Sequence, residues 1–179
     1  MPAIHSFDPI VGLHAKILIL GSMPGEASLA AHQYYAHPRN AFWPIIAPLL
    51  KIQADAAYHE KVTALRSSRL ALWDVFKSCE RTGSLDTKIC SDNYILNDFA
   101  SLFSNHEEIK HVFFNGGTAA RYFVRYVVPA CNLTHLHLSR LPSTSPANAR
   151  LSLEDKRALW HEMILVALEH RAVPNEAAQ

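Results

Sequence analysis

Four short apolar runs punctuate the chain: residues 16–20 (KILIL), 70–76 (LALWDVF), 111–115 (HVFFN) and 134–138 (THLHL). Each is bounded by polar residues, glycine or proline, and most are rich in β-branched or aromatic types. That is the pattern of short buried strands. Between them lie segments with helical spacing. Residues 41–50 are apolar, with Pro44 tolerated in a first turn, where its missing N–H has no helical partner. Residues 56–67 and 92–104 are amphipathic, and residues 117–127 open after Gly116-Gly117. A last helix over 153–170 starts with Ser152 as N-cap and Glu154 and Asp155 in its first turn, where carboxylates meet the positive end of the helix dipole. Residues 172–179 read as a frayed tail.

Strands alternating with helices predict a parallel sheet covered on both faces. The expectation is one α/β domain over residues 1–171, a three-layer α/β/α sandwich around a short central parallel sheet of about four strands. No internal repeat, low-complexity segment or linker divides it. Ligands of such sheets bind beyond the carboxyl ends of the strands. Three loops leave those ends with unusual chemistry: 21-GSMPG-25, 115-NGG-117 and 139-SRLPSTSPANAR-150.

The 179 residues are 49% hydrophobic, which suits one compact domain with a sizeable core. No apolar run approaches the roughly 18 residues that span a membrane. The N-terminus holds Asp8 and no sustained apolar stretch, unlike a signal peptide. Cys79, Cys90 and Cys131 are far apart and odd in number, fit no zinc-ribbon spacing and are too few for a four-cysteine iron–sulfur cluster. Free thiols in a reducing cytoplasm are the expected state, with no metal or other cofactor. A net charge of +1 hides an uneven distribution. Residues 27–54 and 109–153 contain no Asp or Glu, and the second stretch holds Lys110, Arg121, Arg125, Arg140 and Arg150. If both line one face, that face attracts phosphate; chance clustering of the acids gives the same pattern.

The turn Gly21, Ser22, Met23, Pro24, Gly25 packs two glycines and a proline into five residues, which forces a tight bend and brings backbone close to a ligand. An ordinary strand-to-helix turn has the same composition, and no Gly-Lys-Ser/Thr follows to make a phosphate loop. In 34-YYAHPRNAFW-43, aromatics can stack on a base and an Asn can read a base edge with a donor and an acceptor at once. Phe42 and Trp43 read as core. Tyr35 and Asn40, with Pro38 stiffening the segment between them, are the candidates for function, and His37 and Arg39 adjoin them. In the last loop Ser143, Thr144, Ser145 and Asn148, flanked by Arg140 and Arg150, suit phosphate contacts, although an idle surface loop looks similar.

Taken together, the three stretches resemble the uracil-DNA glycosylase superfamily: a G-x-x-P-G turn after the first strand, A-H-P-x-N-x-F-W about a dozen residues later, and a P-S loop after the last strand. The middle motif is similar to that of the mismatch-specific uracil/thymine glycosylases. Their turn carries an Asn that positions the attacking water, where this chain has Met23. Several branches place His or Asn before P-S, where this chain has Leu141. The combination GSMPG, YYAHPRNAFW and LPSTSPANA resembles instead the hypoxanthine-DNA glycosylase branch, in which the Asn of the H-P-R-N segment is catalytic. Carried over, that residue is Asn40.

The resemblance implies a glycosylase acting on double-stranded DNA that carries a deaminated base; no motif lysine is placed to form a Schiff base, so a monofunctional enzyme is expected, and a monomer with it. The base would be flipped out and held between Tyr35, His37 and the GSMPG backbone, with Asn40 steadying the leaving purine. No carboxylate sits in the motifs except Glu26, just past the turn, so paired-carboxylate chemistry is not expected. Two alternatives stay open: a uracil or mismatch glycosylase of broad base range, and a DNA-binding relative without activity.

Overall fold

The computed structural model describes residues 3–169. In chain order the strands and α-helices are β1 (Ile4–His5), β2 (Ile17–Gly21), α1 (Glu26–Ala31), α2 (Phe42–Leu50), α3 (Tyr58–Arg66), β3 (Leu70–Asp74), β4 (Phe76–Arg81), β5 (Ile89–Leu96), α4 (Phe99–Asn105), β6 (His111–Asn115), α5 (Gly117–Tyr122), α6 (Val128–Cys131), β7 (His137–Leu141) and α7 (Leu153–Glu169). The larger sheet is parallel throughout, in the order β3-β2-β6-β7. Its centre, β2, is buried along its whole length.

Alternation along the strands sends side chains to two separate cores. Ile17, Ile19, Leu72 and Phe113 meet Phe42 and Ile46 of α2, Leu65 of α3 and Trp160 and Ile164 of α7 on one face. Leu18, Leu20, Val112 and Phe114 meet Phe99 and Phe103 of α4, Ala119 of α5 and Phe123 on the other. This is the three-layer sandwich expected from the sequence.

Several boundaries differ from expectation. The run 70–76 divides at Val75, whose N–H donates to the Gly21 carbonyl (2.8 Å), after which the chain starts β4. Residues 92–104, expected as one amphipathic helix, instead form the end of β5 and then α4. Asn93 and Ile95 are exposed while Tyr94 and Leu96 are half-buried, a period of two that pairing with β4 enforces. β4 and β5 join β1 in a small antiparallel sheet, order β1-β4-β5, that the apolar runs did not announce. The last strand starts three residues later than expected, at His137, because Leu133 and Leu136 are buried in the turn before it. The helix over 117–127 becomes a wide π turn at Phe123–Val127 and continues into α6. Ser152 does cap α7: its Oγ accepts the Asp155 N–H (3.1 Å), and an Asp155 carboxylate oxygen accepts the Ser152 N–H (3.3 Å). The expected tail at 172–179 lies outside the described residues. No helix among the described residues is long and apolar enough to cross a membrane.

Candidate active site

The register of the parallel sheet sets the floor of the site. Gly21 pairs with Asp74, Asn115 pairs with Leu141, and Leu20 pairs with Phe114 one position earlier. The last rung at the carboxyl ends therefore reads Asp74, Gly21, Asn115, Leu141. Glycine is required in this rung by close approach. A Cβ on Gly21 would lie 2.3 Å from Asp74 Oδ1 and 3.0 Å from the Tyr35 hydroxyl. The missing side chain leaves a notch between Asp74 and Asn115, and the tip of Tyr35 reaches it.

A cavity of about 870 Å3 opens above this rung. The whole turn Gly21, Ser22, Met23, Pro24, Gly25 lines it, together with Tyr35, His37, Asn40, Arg140, Ser143, Thr144, Ser145 and Asn148. The structure thus brings the three sequence stretches to one place. Arg39 and Arg150 are exposed and stand outside the lining.

The segment before α2 is both scaffold and wall. Tyr35 adopts a left-handed backbone conformation (φ 56°), and its ring stacks on fully buried Phe42, centroids 3.9 Å apart and planes 18° off parallel. Trp43 Nε1 donates to the Tyr34 carbonyl (2.9 Å), which locks the turn from below. His37 Nδ1 accepts the Arg39 N–H (3.1 Å), so a neutral His37 ring carries its proton on Nε2. The Asn40 side chain is oriented by the first residue of α2. The Phe42 N–H donates to its Oδ1 (3.0 Å), and since an N–H can only donate, the atom facing it must be the oxygen. Asn40 Nδ2 has no protein acceptor among the described residues, so its two hydrogens are donors available to the cavity.

Asn115, absent from the sequence-derived site residues, is a clasp. Its Nδ2 donates to the Tyr35 hydroxyl (3.0 Å) and to Thr144 Oγ1 (2.8 Å), and its Oδ1 accepts the Thr144 N–H (2.8 Å). The Ala41 N–H then donates to the Thr144 carbonyl (3.0 Å). One side chain thereby ties the strand end, the aromatic segment and the last loop together. Thr144 is 1% exposed and turned inward, so its side chain braces this loop and does not face a phosphate, unlike the expectation for it. Asn148 also turns to its own loop, donating to the Ser143 carbonyl (3.1 Å), and buried Lys156 of α7 donates to the Asn148 carbonyl (2.7 Å).

The turn has a brace that sequence inspection missed, in the hairpin between β4 and β5. The Arg81 side chain is fully buried and reaches three backbone carbonyls: Gly83 (2.8 Å), Met23 (3.4 Å) and Pro24. Its guanidinium stands 4.0 Å from Asp86. Asp86 accepts the Ser22 hydroxyl at 2.7 Å on each oxygen, and Ser84 Oγ accepts the Glu26 N–H (2.9 Å). Burial raises the Asp86 carboxyl above its ordinary range, against the Ser22 hydrogen bond and the Arg81 charge.

Two carboxyls other than Glu26 therefore line the cavity, Asp74 and Asp86. Neither stands in the three sequence motifs; the fold brings both to the cavity. Asp74 is 4% exposed, and its Oδ2 accepts the Ser6 hydroxyl (2.7 Å). Burial pushes its carboxyl up to about 7; the Ser6 hydrogen bond opposes this, the Asp86 charge adds to it and the Arg81 charge subtracts from it. The folded pKa lies above the unfolded value of about 3.9. Stability from this group is full below the unfolded value and is lost as pH rises through about 7. Asp74→Asn is accordingly expected to be more stable than wild type at about pH 8, on the order of 2–4 kcal/mol, with the difference shrinking towards about pH 4. Thermal melts across that range check it; equal stability at pH 8 would contradict it. Among the described residues no cluster of three or more His, Cys, Asp or Glu is arranged to hold a metal ion.

Residues 9–164 match the model of the uracil DNA glycosylase superfamily. The chain is 35% identical over 157 residues to a protein named hypoxanthine DNA glycosylase from Methanosarcina barkeri, covering 87% of this chain and 94% of that one. A protein of the same name from Methanosarcina acetivorans is 34% identical over 155 residues, covering 86% and 93%. A solution NMR structure from Methanosarcina acetivorans, described as a candidate uracil DNA glycosylase, superposes with a TM-score of 0.72 at 31% identity, covering 91% of this chain and 99% of that one. Sheet order, the cavity at the carboxyl ends and these matches agree, and the chain belongs to the uracil DNA glycosylase superfamily.

Proposed function

We propose that the protein excises hypoxanthine from deoxyinosine in double-stranded DNA, hydrolysing the N-glycosidic bond and leaving an abasic site. The observation that carries this reading is the Asn40 carboxamide. Its oxygen is held by the Phe42 N–H, and its amide hydrogens are the donors offered to the cavity. A fixed donor in a water-poor pocket stabilises charge that develops in the transition state, here on O6 as the purine leaves. The two Methanosarcina relatives named for this activity support the choice of base.

The target nucleotide is flipped out of the duplex, which costs a few kcal/mol and least for a mispaired base. The base enters between Tyr35, His37 and the turn backbone. Charge builds up as an oxocarbenium-like sugar, and water adds late. Among the described residues no lysine lines the cavity, so none offers an amine for a Schiff base, and the enzyme is monofunctional. One chain builds the whole cavity, so a monomer suffices. Incubation with duplexes containing inosine, uracil or xanthine, followed by alkali, tests the proposal. Strand breaks at inosine support it. Breaks at uracil alone would replace it with a pyrimidine glycosylase, and no breaks with a binding protein.

Phosphates are held by scattered basic residues flanking the last loop. Arg140 lies against Gly117, where a Cβ would be 2.9 Å from its guanidinium, and Arg150 is free at the surface. With a few such contacts, the slope of log affinity against log salt is expected to be on the order of −3 to −5. Arg150→Ala should weaken binding to damaged and undamaged duplex alike and make that slope shallower by about one. Preference for inosine should not change, because phosphate contacts carry no base information. Unchanged affinity and slope would detach Arg150 from the DNA face.

A further inference from the structure

The mechanism above leaves one buried acid of the cavity unused. We propose that Asp74 is a second catalytic residue, a general acid that delivers its proton to N7 of the departing hypoxanthine and so favours purines over pyrimidines. This rests on the proposed base excision and deepens it.

Position comes first. Asp74 ends β3 on the last rung of the sheet, beside Gly21, and lines the cavity. Ser6 holds Oδ2, while Oδ1 sits where a Gly21 side chain would otherwise stand. Glycine at 21 thus gives Oδ1 room at the cavity floor. Asn115, its neighbour across the notch, is already committed to Tyr35 and Thr144. Asp74 is not tied in this way.

Protonation state comes second. The groups facing Asp74 are the Ser6 hydroxyl from the segment after β1, Tyr34 and Tyr35 from the segment before α2, and Arg81 and Asp86 from the β4–β5 hairpin. β2 contributes only the bare Gly21. Burial and the Asp86 charge outweigh Ser6 and Arg81 and put the carboxyl at about 7, so a large share of it is protonated at neutral pH, unlike an ordinary carboxylate. Both tyrosine hydroxyls are pushed upwards by burial and by Asp74 itself, so neither becomes a rival anion. Bound DNA adds phosphate charge and excludes water, and both favour the neutral acid further.

The chemistry then follows. N7 is the most basic ring nitrogen of a 6-oxopurine nucleoside, and uracil has no equivalent basic ring nitrogen. As the C1′–N9 bond breaks, its electron pair passes to the purine. The Asp74 O–H bond breaks and N7–H forms, so neutral hypoxanthine leaves. Water adds to the oxocarbenium carbon, and the proton it releases returns to the Asp74 carboxylate. The balance needs only water. Asn40 steadies O6 while Asp74 loads N7, two adjacent acceptors on one edge of the base. Positioned general acids contribute about 10²–10⁴-fold.

The test is single-turnover release on duplexes with deoxyinosine and with 7-deaza-deoxyinosine, which has carbon at position 7, for wild type and Asp74→Asn. Wild type should lose rate on deoxyinosine as pH rises beyond the titration of Asp74, and should be at least about 10²-fold slower on the 7-deaza base. Asp74→Asn should be slowed by a similar factor on deoxyinosine, lose the alkaline limb, and be no slower than wild type on the 7-deaza base. Wild-type measurements alone keep the proposal exposed if the variant folds poorly. A wild-type enzyme indifferent to N7, or an Asp74→Asn penalty equal on both bases, overturns the acid role while leaving hypoxanthine excision standing. No release by wild type from any deoxyinosine duplex overturns the excision itself.

Discussion

Asn40→Ala is expected to slow hypoxanthine release by about 10²–10³-fold at saturating enzyme, with DNA affinity almost unchanged. The size of the effect comes from orientation. In wild type the Phe42 N–H holds Oδ1, so the amide donors are already aimed when the base arrives and no reorganisation accompanies bond breaking. Alanine removes those donors and also the acceptor at the start of α2, a capping loss of about 1 kcal/mol. Asn40→Asp separates the two effects. It keeps an oxygen for the Phe42 N–H and replaces the donors with a second oxygen, so the fold should hold while excision falls at least as far as with alanine. Single-turnover rates and a thermal melt on both variants check this. Near-normal excision by either would make Asn40 a structural cap and nothing more.

Arg81→Met is expected to lower stability by about 3 kcal/mol and to reduce excision strongly, although Arg81 does not itself line the cavity. Methionine fills much of the same volume but leaves the carbonyls of Met23, Pro24 and Gly83 without their donor and Asp86 without its nearby cation. Each buried unpaired group costs about 1–3 kcal/mol, and water from the adjoining cavity offsets part of the total. For a domain of this size the loss corresponds to a fall in Tm of about 6–12 °C. Arg81→Lys should rescue little, because an ammonium is a point charge and lacks the planar fork that serves several acceptors at once. Salt-dependent binding to undamaged duplex should survive at temperatures where the variant is folded. Wild-type Tm and excision in Arg81→Met would show that the turn holds its shape without the hairpin.

How much of this was legible in the sequence depends on whether the signal was local. The two central parallel strands were, since ILIL and VFF are buried on both faces and carry no polar alternation. So was the α7 cap at Ser152, a side-chain hydrogen bond spanning three residues. The small antiparallel sheet was not. β5 has only a weak alternation, and its pairing with β4 and the pairing of β4 with β1 are long-range contacts with no local signature. The turn, the aromatic segment and the last loop could be found because each is compositionally odd. Asp74, Arg81 and Asn115 could not be ranked in that way. Asp74 stands in an ordinary apolar run, and only the register that sets it beside a glycine gives its carboxyl a view of the cavity. Arg81 lies 57 residues from the carbonyl it serves at Pro24. Asn115 had one usable cue, a carboxamide at a strand end before two glycines, but its bonds to Tyr35 and Thr144 span 80 and 29 residues.

The most direct test of the account is a competition in one tube. A duplex with a single deoxyinosine and a duplex with a single deoxyuridine are mixed at equal concentration with wild-type protein, and the free bases released are quantified by mass spectrometry. Free hypoxanthine should accumulate to the extent of its duplex while uracil stays near background, because the cavity offers donors to a purine edge and has Met23 where the pyrimidine branches hold a water-positioning side chain. Release of uracil at a rate equal to or above that of hypoxanthine, or release of neither base by folded protein, would contradict the account.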